Sequence, residues 1–296
     1  MIHTSVLKKE VIEYLNPKAN ENFIDGTAGE GGHDLLILEK NSPNGMVLMI
    51  DWDINQIGNA KKNISRFKDR VLLVNDSYVN IDDIVEKNNF KPVNGIMIDL
   101  GYSSWQIEES KKGFSFNRDE ILDMRYDDKN VLTAEKIVND YSEKELENIL
   151  HNFGEEKFAK KIAKKIVESR KKSRIKSTLE LKNIIESVYP EKMRYGRINC
   201  ATKSFQALRI VVNRELDNLK EFLPKAISLL SKDGRLVIIS FHSLEDRIIK
   251  NFLKEKSEEG VIKILTKKPV IASPEEVLSN PRARSAKLRA AVKISI

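Results

Sequence analysis

The sequence predicts an α/β protein whose mostly parallel sheet is interrupted, after its fourth strand, by an all-helical insertion. Three observations predict it. Short, almost wholly apolar segments alternate with helical patterns through about the first hundred residues, as strands covered on both faces do. From about Ile107 to Cys200 the alternation stops and only helical periodicity remains. It then resumes and runs to the C-terminus.

Taken in order, Val6, Leu7, Val11, Ile12, Tyr14 and Leu15 suit one face of an opening helix. Strands are expected at 22–25, 46–51, 71–75 and 93–100, separated by helices at 33–41, 54–66 and 78–89. The insertion reads as helices near 132–139, 142–151, 154–171 and 177–188. In the third of these, Phe158, Ile162 and Ile166 recur every four residues with lysines between, the signature of an amphipathic helix. A helix at 204–231, a strand at 235–240, a helix at 244–256 and strands at 261–266 and 286–295 complete a seven-stranded sheet. The expected division is therefore a sheet domain from 1–106 and 204–296 and a helical, substrate-recognising insertion at 107–203.

Composition narrows the function. The 296 residues are 41% hydrophobic, with only 13 glycines and 8 prolines, which excludes collagen-like and disordered classes. The longest apolar run, Met46–Ile50, is too short to cross a bilayer, and the first residues carry no signal-peptide pattern. A single cysteine, Cys200, excludes an intrachain disulfide, and no cluster has metal-ligand spacing, so no metal is expected. A soluble cytoplasmic protein is the expectation.

There are 51 Lys+Arg against 44 Asp+Glu, a net charge of +7, and the excess is concentrated. Between Lys157 and Lys176 ten cations face one acid, Glu168, and between Arg282 and Lys293 five face none. One such run is as often a solvated helix face; two acid-poor runs point to a polyanionic partner.

The first strand runs into Asp25-Gly26-Thr27-Ala28-Gly29-Glu30-Gly31-Gly32-His33. Glycines after a first strand let the backbone turn tightly and approach a ligand. Asp51 ends the second strand, twenty residues past Gly31, where a carboxylate can accept hydrogen bonds from both hydroxyls of a ribose. The spacing Gly29, Gly31 resembles the nucleoside loop of S-adenosylmethionine-dependent methyltransferases, whereas a dinucleotide site prefers glycines at the first, third and sixth positions. Ligands of such sheets collect at the carboxyl ends of the strands, which brings Tyr78 after strand three towards an adenine. Asp99 and the polar loop through Gln106 follow strand four; for Asp99 a helix-cap or turn role stands beside the functional one.

Several segments then coincide with one family: His33 with its glycines, Asp99-Leu100-Gly101-Tyr102-Ser103-Ser104, Gly113-Phe114-Ser115-Phe116 and Leu122-Asp123-Met124-Arg125. Phe205-Gln206-Ala207-Leu208-Arg209, Ser240-Phe241-His242-Ser243-Leu244-Glu245-Asp246-Arg247 and Asn280-Pro281-Arg282-Ala283-Arg284-Ser285 follow in the same order. The whole chain resembles the bacterial 16S ribosomal RNA cytosine-N4 methyltransferases. Departures from the family pattern are Tyr78, Trp105, Lys112, Tyr126 and Asn199-Cys200. The resemblance implies a class I methyltransferase (Rossmann-like) fold and methyl transfer from S-adenosyl-L-methionine to N4 of a cytidine in the decoding region of the small-subunit RNA. It also implies cofactor contacts at Gly31, Gly32, His33, Asp51, Tyr78, Asp99 and Gln106.

For the chemistry, Asp99 is expected to anchor the cofactor and accept an N–H of the cytosine amine, with Ser103 and Ser104 orienting that amine. His242 after strand five has two readings: contact with the cytosine or a phosphate, or part of a helix cap built on Ser243 and Asp246. Phe114, Phe116, Tyr126 and Trp105 offer stacking, with packing of the insertion against the sheet the expected role of the two phenylalanines. The partner expected is 16S rRNA or the small subunit, with no membrane; a homodimer is open. A small-molecule methyltransferase leaves both basic runs unexplained, and a non-catalytic RNA binder leaves the glycine loop, Asp51 and Asp99 unexplained.

Overall fold

A computed structural model of the chain describes residues 5–101, 106–107, 109–194, 196 and 199–295. Ser103, Ser104 and Trp105 lie outside the described residues. The chain forms two compact units, Met1–Gly101 with Leu216–Ile296, and Tyr102–Glu215.

The first unit is built on a seven-stranded sheet: β1 (Phe23–Asp25), β2 (Val47–Asp51), β3 (Val71–Asn75), β4 (Gly95–Asp99), β5 (Arg235–Ser240), β6 (Ile262–Ile264) and β7 (Lys287–Lys293). The order is β3-β2-β1-β4-β5-β7-β6, with β7 antiparallel to both of its neighbours and the rest parallel. The arrangement is the α/β, Rossmann-like sheet expected of a class I methyltransferase. Strand side chains alternate between two buried layers, as a period of two requires. Leu48, Ile50, Ile96, Ile98, Leu236 and Ile238 pack one way, beneath α4 (Ile81–Lys87), the helix Glu215–Leu229 and the helix Ser243–Glu258. Val47, Met49, Met97, Val237 and Ile239 pack the other way, against α1 (Lys8–Leu15), α2 (Gly32–Lys40) and Ile64 after α3 (Ile54–Asn63). The opening helix is shorter than its apolar pattern. Leu7 turns into the left-handed region (φ 53) and its N–H is accepted by Glu276 Oε1 at 2.7 Å, a bond no local pattern announces.

The second unit is helical, with one isolated bridge, Ile121 to Ser177, among its described residues. It contains α5 (Ala134–Asp140), α6 (Glu143–Gly154), α7 (Ala159–Arg170), α8 (Thr178–Val188), α9 (Glu191–Arg194) and α10 (Thr202–Asn213). Ser142 and Ser177 each begin a helix through a reciprocal capping box, with Glu145 and Glu180. On α7, Ala159, Ile162, Ala163 and Ile166 are buried while Lys160, Lys161, Lys164 and Lys165 are exposed. This unit reaches further along the chain than the expected 107–203, because α10 packs Phe205, Ala207 and Leu208 into its core.

The expected single helix 204–231 is two helices. Arg214 adopts a left-handed conformation (φ 51) and ends α10; α11 (Glu215–Leu229) begins at the next residue. The break falls at no glycine or proline. It is closed by a buried bidentate pair, Arg209 Nε and Nη2 on Glu215 Oε1 and Oε2 at 2.8 and 3.0 Å, with Asn213 Nδ2 on Met124 O at 2.8 Å. Tertiary ion pairing overrides the local helical preference there.

The family motifs of this unit are structural in large part. Arg125 grips Asp123 through Nε and Nη2 at 2.7 and 2.8 Å and reaches the carbonyl of Asn130, so the Asp-Met-Arg motif pins its own loop. Phe114 stacks on Tyr126, centroids 5.3 Å apart, and Phe116 meets Phe205 edge-on at 4.9 Å. The contacts of the two phenylalanines lie within the insertion's own unit, whereas packing of the insertion against the sheet is the expectation.

The second basic run is largely internal. In β7, Arg289 is buried and bonds Asp246 Oδ1 at 2.6 Å, Lys287 lies 3.3 Å from Asp246 Oδ2, and Lys293 Nζ meets the carbonyl of Leu230 at 2.7 Å. These three cations hold β7 to the helices of the first unit, α12 (Ser243–Glu258) and α11, while Arg284 and the lysines of α7 are exposed. Asp246→Ala strands the buried Arg289 and should cost about 3 kcal/mol, read as a lowered urea midpoint.

Candidate functional site

Asp25, Asp51 and Asp99 are the last residues of β1, β2 and β4, and the sheet register sets them along one edge. The strand order reverses between β1 and β4, so the crevice for a ligand opens there.

The glycine loop crosses this edge. Gly26 N–H donates to Met97 O and Ala28 N–H to Ile50 O, both at 3.0 Å, so the loop is bonded to the strands on either side of β1. Gly31 caps α2 at φ 82, and a Cβ there would meet Ile64 and Met49 at 3.1 and 3.4 Å. Both the left-handed backbone and the close packing demand glycine. Asp51 holds the loop from the side: Oδ2 accepts from Gly29 N–H and Oδ1 from Asp53 N–H, each at 2.9 Å. Burial pushes the Asp51 carboxyl up to about 7 against these stabilising bonds.

Thr27 links β1 to β4. Its hydroxyl accepts from Asp99 N–H at 2.6 Å and lies 3.2 Å from Asp25 Oδ1, to which it donates. Asp25 also accepts from Thr27 N–H at 2.8 Å; burial raises it to about 6. Across from it, His33 is buried in the first turn of α2 with Nε2 3.7 Å from Asp99 Oδ2.

Sequence reasoning missed Asp34. It is fully buried, and burial together with the neighbouring Asp25 carboxyl pushes it well above the usual carboxylate range. A signal existed: His33, Asp34, Ile37 and Leu38 share the inward helical stripe, so an acid occupies a core position.

The structure thus brings Gly31, Gly32, His33, Asp51 and Asp99 to one sheet edge. Tyr78 follows β3 and is buried, edge-on to Phe222 at 5.2 Å and tilted against Trp52 at 5.8 Å. Gln106 is buried in the second unit. His242 is the N-cap of α12: Glu245 N–H points to Nδ1 at 3.4 Å, and Glu245 Oε2 accepts from the N–H groups of Phe241 and His242 at 2.9 and 3.3 Å. The cap is therefore built on His242 and Glu245, one residue ahead of the expected Ser243 and Asp246. Asp246 instead pairs with Arg289.

The residues fit an adenosine-bearing cofactor. Both ring nitrogens of His33 and Asp99 Oδ1 are buried without a hydrogen-bond partner among the described residues. Buried polar groups ordinarily have partners, so these atoms mark where one is supplied from outside. Ribose hydroxyls and an ammonium group are donors, and the strand-end acids are acceptors. Among the described residues no helix is long and apolar enough to cross a membrane.

Comparison with known proteins agrees with this geometry. The chain is 48% identical over 292 residues to a Sulfurihydrogenibium protein named ribosomal RNA small subunit methyltransferase H, covering 99% of each chain. Proteins of the same name from Persephonella marina (47%, 99% of each chain) and Kosmotoga olearia (46%, 99% of this chain and 97% of the other) are similar throughout. The pattern of the MraW methylase family matches residues 1–294. A methyltransferase sheet, a nucleoside-type loop and whole-length identity of this order lead to one conclusion: the chain belongs to the MraW methylase family.

Proposed function

We propose that the chain transfers a methyl group from S-adenosyl-L-methionine to the N4 amino group of a cytidine in the decoding region of 16S ribosomal RNA, acting in the cytoplasm. The observation that carries the reading is the set of strand-end acids, Asp51 and Asp99, with His33 around a glycine loop whose buried acceptors await donors. The names of the whole-length relatives support the RNA substrate.

S-adenosyl-L-methionine, when bound, supplies an activated methyl group. Gly31 and Gly32 let the backbone approach it closely, Asp51 accepts from the ribose hydroxyls, and Tyr78 borders the adenine. His33 and Asp99 occupy the end nearest the β4 exit. The cytosine amine is a poor nucleophile because its lone pair is delocalised into the ring. An acceptor on its N–H raises lone-pair availability and orients the nitrogen, so positioning supplies most of the rate. Asp99 fills that role in our reading, with Ser103 and Ser104 orienting the amine and His242 at the β5 exit contacting base or phosphate. The exposed lysines of α7 bind the RNA backbone, and base access requires an unstacked or unpaired cytidine.

The direct test offers labelled cofactor to unmodified small subunits and to naked 16S RNA. N4-methylcytidine at one position is the expected product; transfer to neither substrate by a cofactor-bound enzyme contradicts the reading. Asp51 should make cofactor affinity pH-dependent. Its carboxyl, at about 7, is ionised above neutrality, so affinity should weaken as pH falls through that value. Asp51→Asn should bind about tenfold or more weakly at alkaline pH, with a flatter profile by calorimetry. Replacing Lys160, Lys164 and Lys165 with Gln should lower RNA affinity and reduce the log–log salt slope by about 0.7–0.9 for each phosphate no longer neutralised.

A further inference from the structure

Beneath the glycine loop lie two acids that no step above uses. Asp25 is 1% exposed and Asp34 fully buried, and their carboxyl groups are within hydrogen-bonding range of one another. Apart from its own backbone N–H, no donor of a described residue reaches either oxygen of Asp34. A first-turn acid that only complements a helix end is solvated, and Asp34 is fully buried. Two ionised carboxylates side by side in a buried site repel and are both desolvated. One proton changes the sign: an O–H then donates to the neighbouring carboxylate, a short charge-assisted bond.

The same place is connected to the site. Asp25 accepts from the Thr27 hydroxyl, that hydroxyl accepts from Asp99 N–H, and Asp99 faces His33, whose buried ring nitrogens have no partner among the described residues. The titratable groups that act on the pair from its surroundings are His33 on α2, Asp99 at the end of β4 and Asp51 at the end of β2.

We propose that Asp34 is a positioning residue: it shares one proton with Asp25, and the bridged pair holds Thr27 and, through it, Asp99 where the cofactor meets them. The inference rests on the cofactor reading of the glycine loop. Loss of the pair acts on binding at a distance, through Asp25 and Thr27, because Asp34 lies below the loop in the core stripe of α2.

The test compares wild type, Asp34→Asn and Asp34→Ala by urea unfolding of the free protein from about pH 5 to about pH 8, and by calorimetric titration with S-adenosylmethionine. The folded pair retains a proton that unfolded aspartates, with values of about 3.9, have already released. Stability therefore falls as pH rises through this window. An amide at position 34 is a permanent donor to Asp25, so Asp34→Asn should keep cofactor affinity and show a shallower fall, the remainder belonging to Asp51. Asp34→Ala should bind the cofactor about tenfold more weakly, the weight of a lost hydrogen bond to a charged group. A wild-type slope in Asp34→Asn overturns the shared proton, and undiminished affinity in folded Asp34→Ala overturns the positioning role. If Asp34→Ala does not fold, loss of affinity in Asp34→Asn decides against the proposal. Wild-type protein that binds no cofactor overturns the cofactor reading instead, with the shared proton still judged from the unfolding slopes.

Discussion

One hydroxyl joins the two halves of the sheet edge on which the site is built. Where strand order reverses between β1 and β4, main-chain pairing extends into the glycine loop only through Gly26 N–H on Met97 O and Ala28 N–H on Ile50 O. Thr27 spans that point, donating to Asp25 and accepting from Asp99 N–H. Asp51 does the equivalent from β2 by holding Gly29 N–H. The glycine loop is thus held by two main-chain bonds, carboxylates and a hydroxyl on its inner side.

Such a design concentrates negative charge. Asp25, Asp34 and Asp51 are all pushed upward by burial, and Asp99 stands beside them. Burying acids weakens the free protein but suits a ligand that brings hydroxyl donors and positive charge. A preorganised acid site of this kind trades folding stability for affinity. The sheet beneath carries that cost, with two apolar layers packed on alternate residues of every central strand.

The insertion divides its charges differently. Its internal ion pairs sit where regular structure stops: Arg209 with Glu215 at the break between two helices, and Arg125 with Asp123 within a loop. Its lysines on α7 stay on the exposed side of a helix whose other face is core. The C-terminal cations, equally acid-poor in sequence, hold β7 in place through Asp246 and a carbonyl. Charge density along a chain therefore does not identify a binding surface until the acids that fold back onto it are known.

The sheet and its interruption were legible in the sequence because both rest on local periodicity: buried parallel strands are continuous apolar runs, and α7 repeats every four residues. The glycine loop, Asp51 and Asp99 were legible because strand ends and glycine spacing are local too. Whole-chain resemblance added the reaction. What only tertiary structure decided involves partners far apart in sequence: the break at Arg214, the cap of Leu7 by Glu276, the internal use of Arg289, and the meeting of Asp25 with Asp34. Local patterns record which residues face inward; the pairing of buried charges depends on which elements the fold brings together, and one sequence window does not contain that.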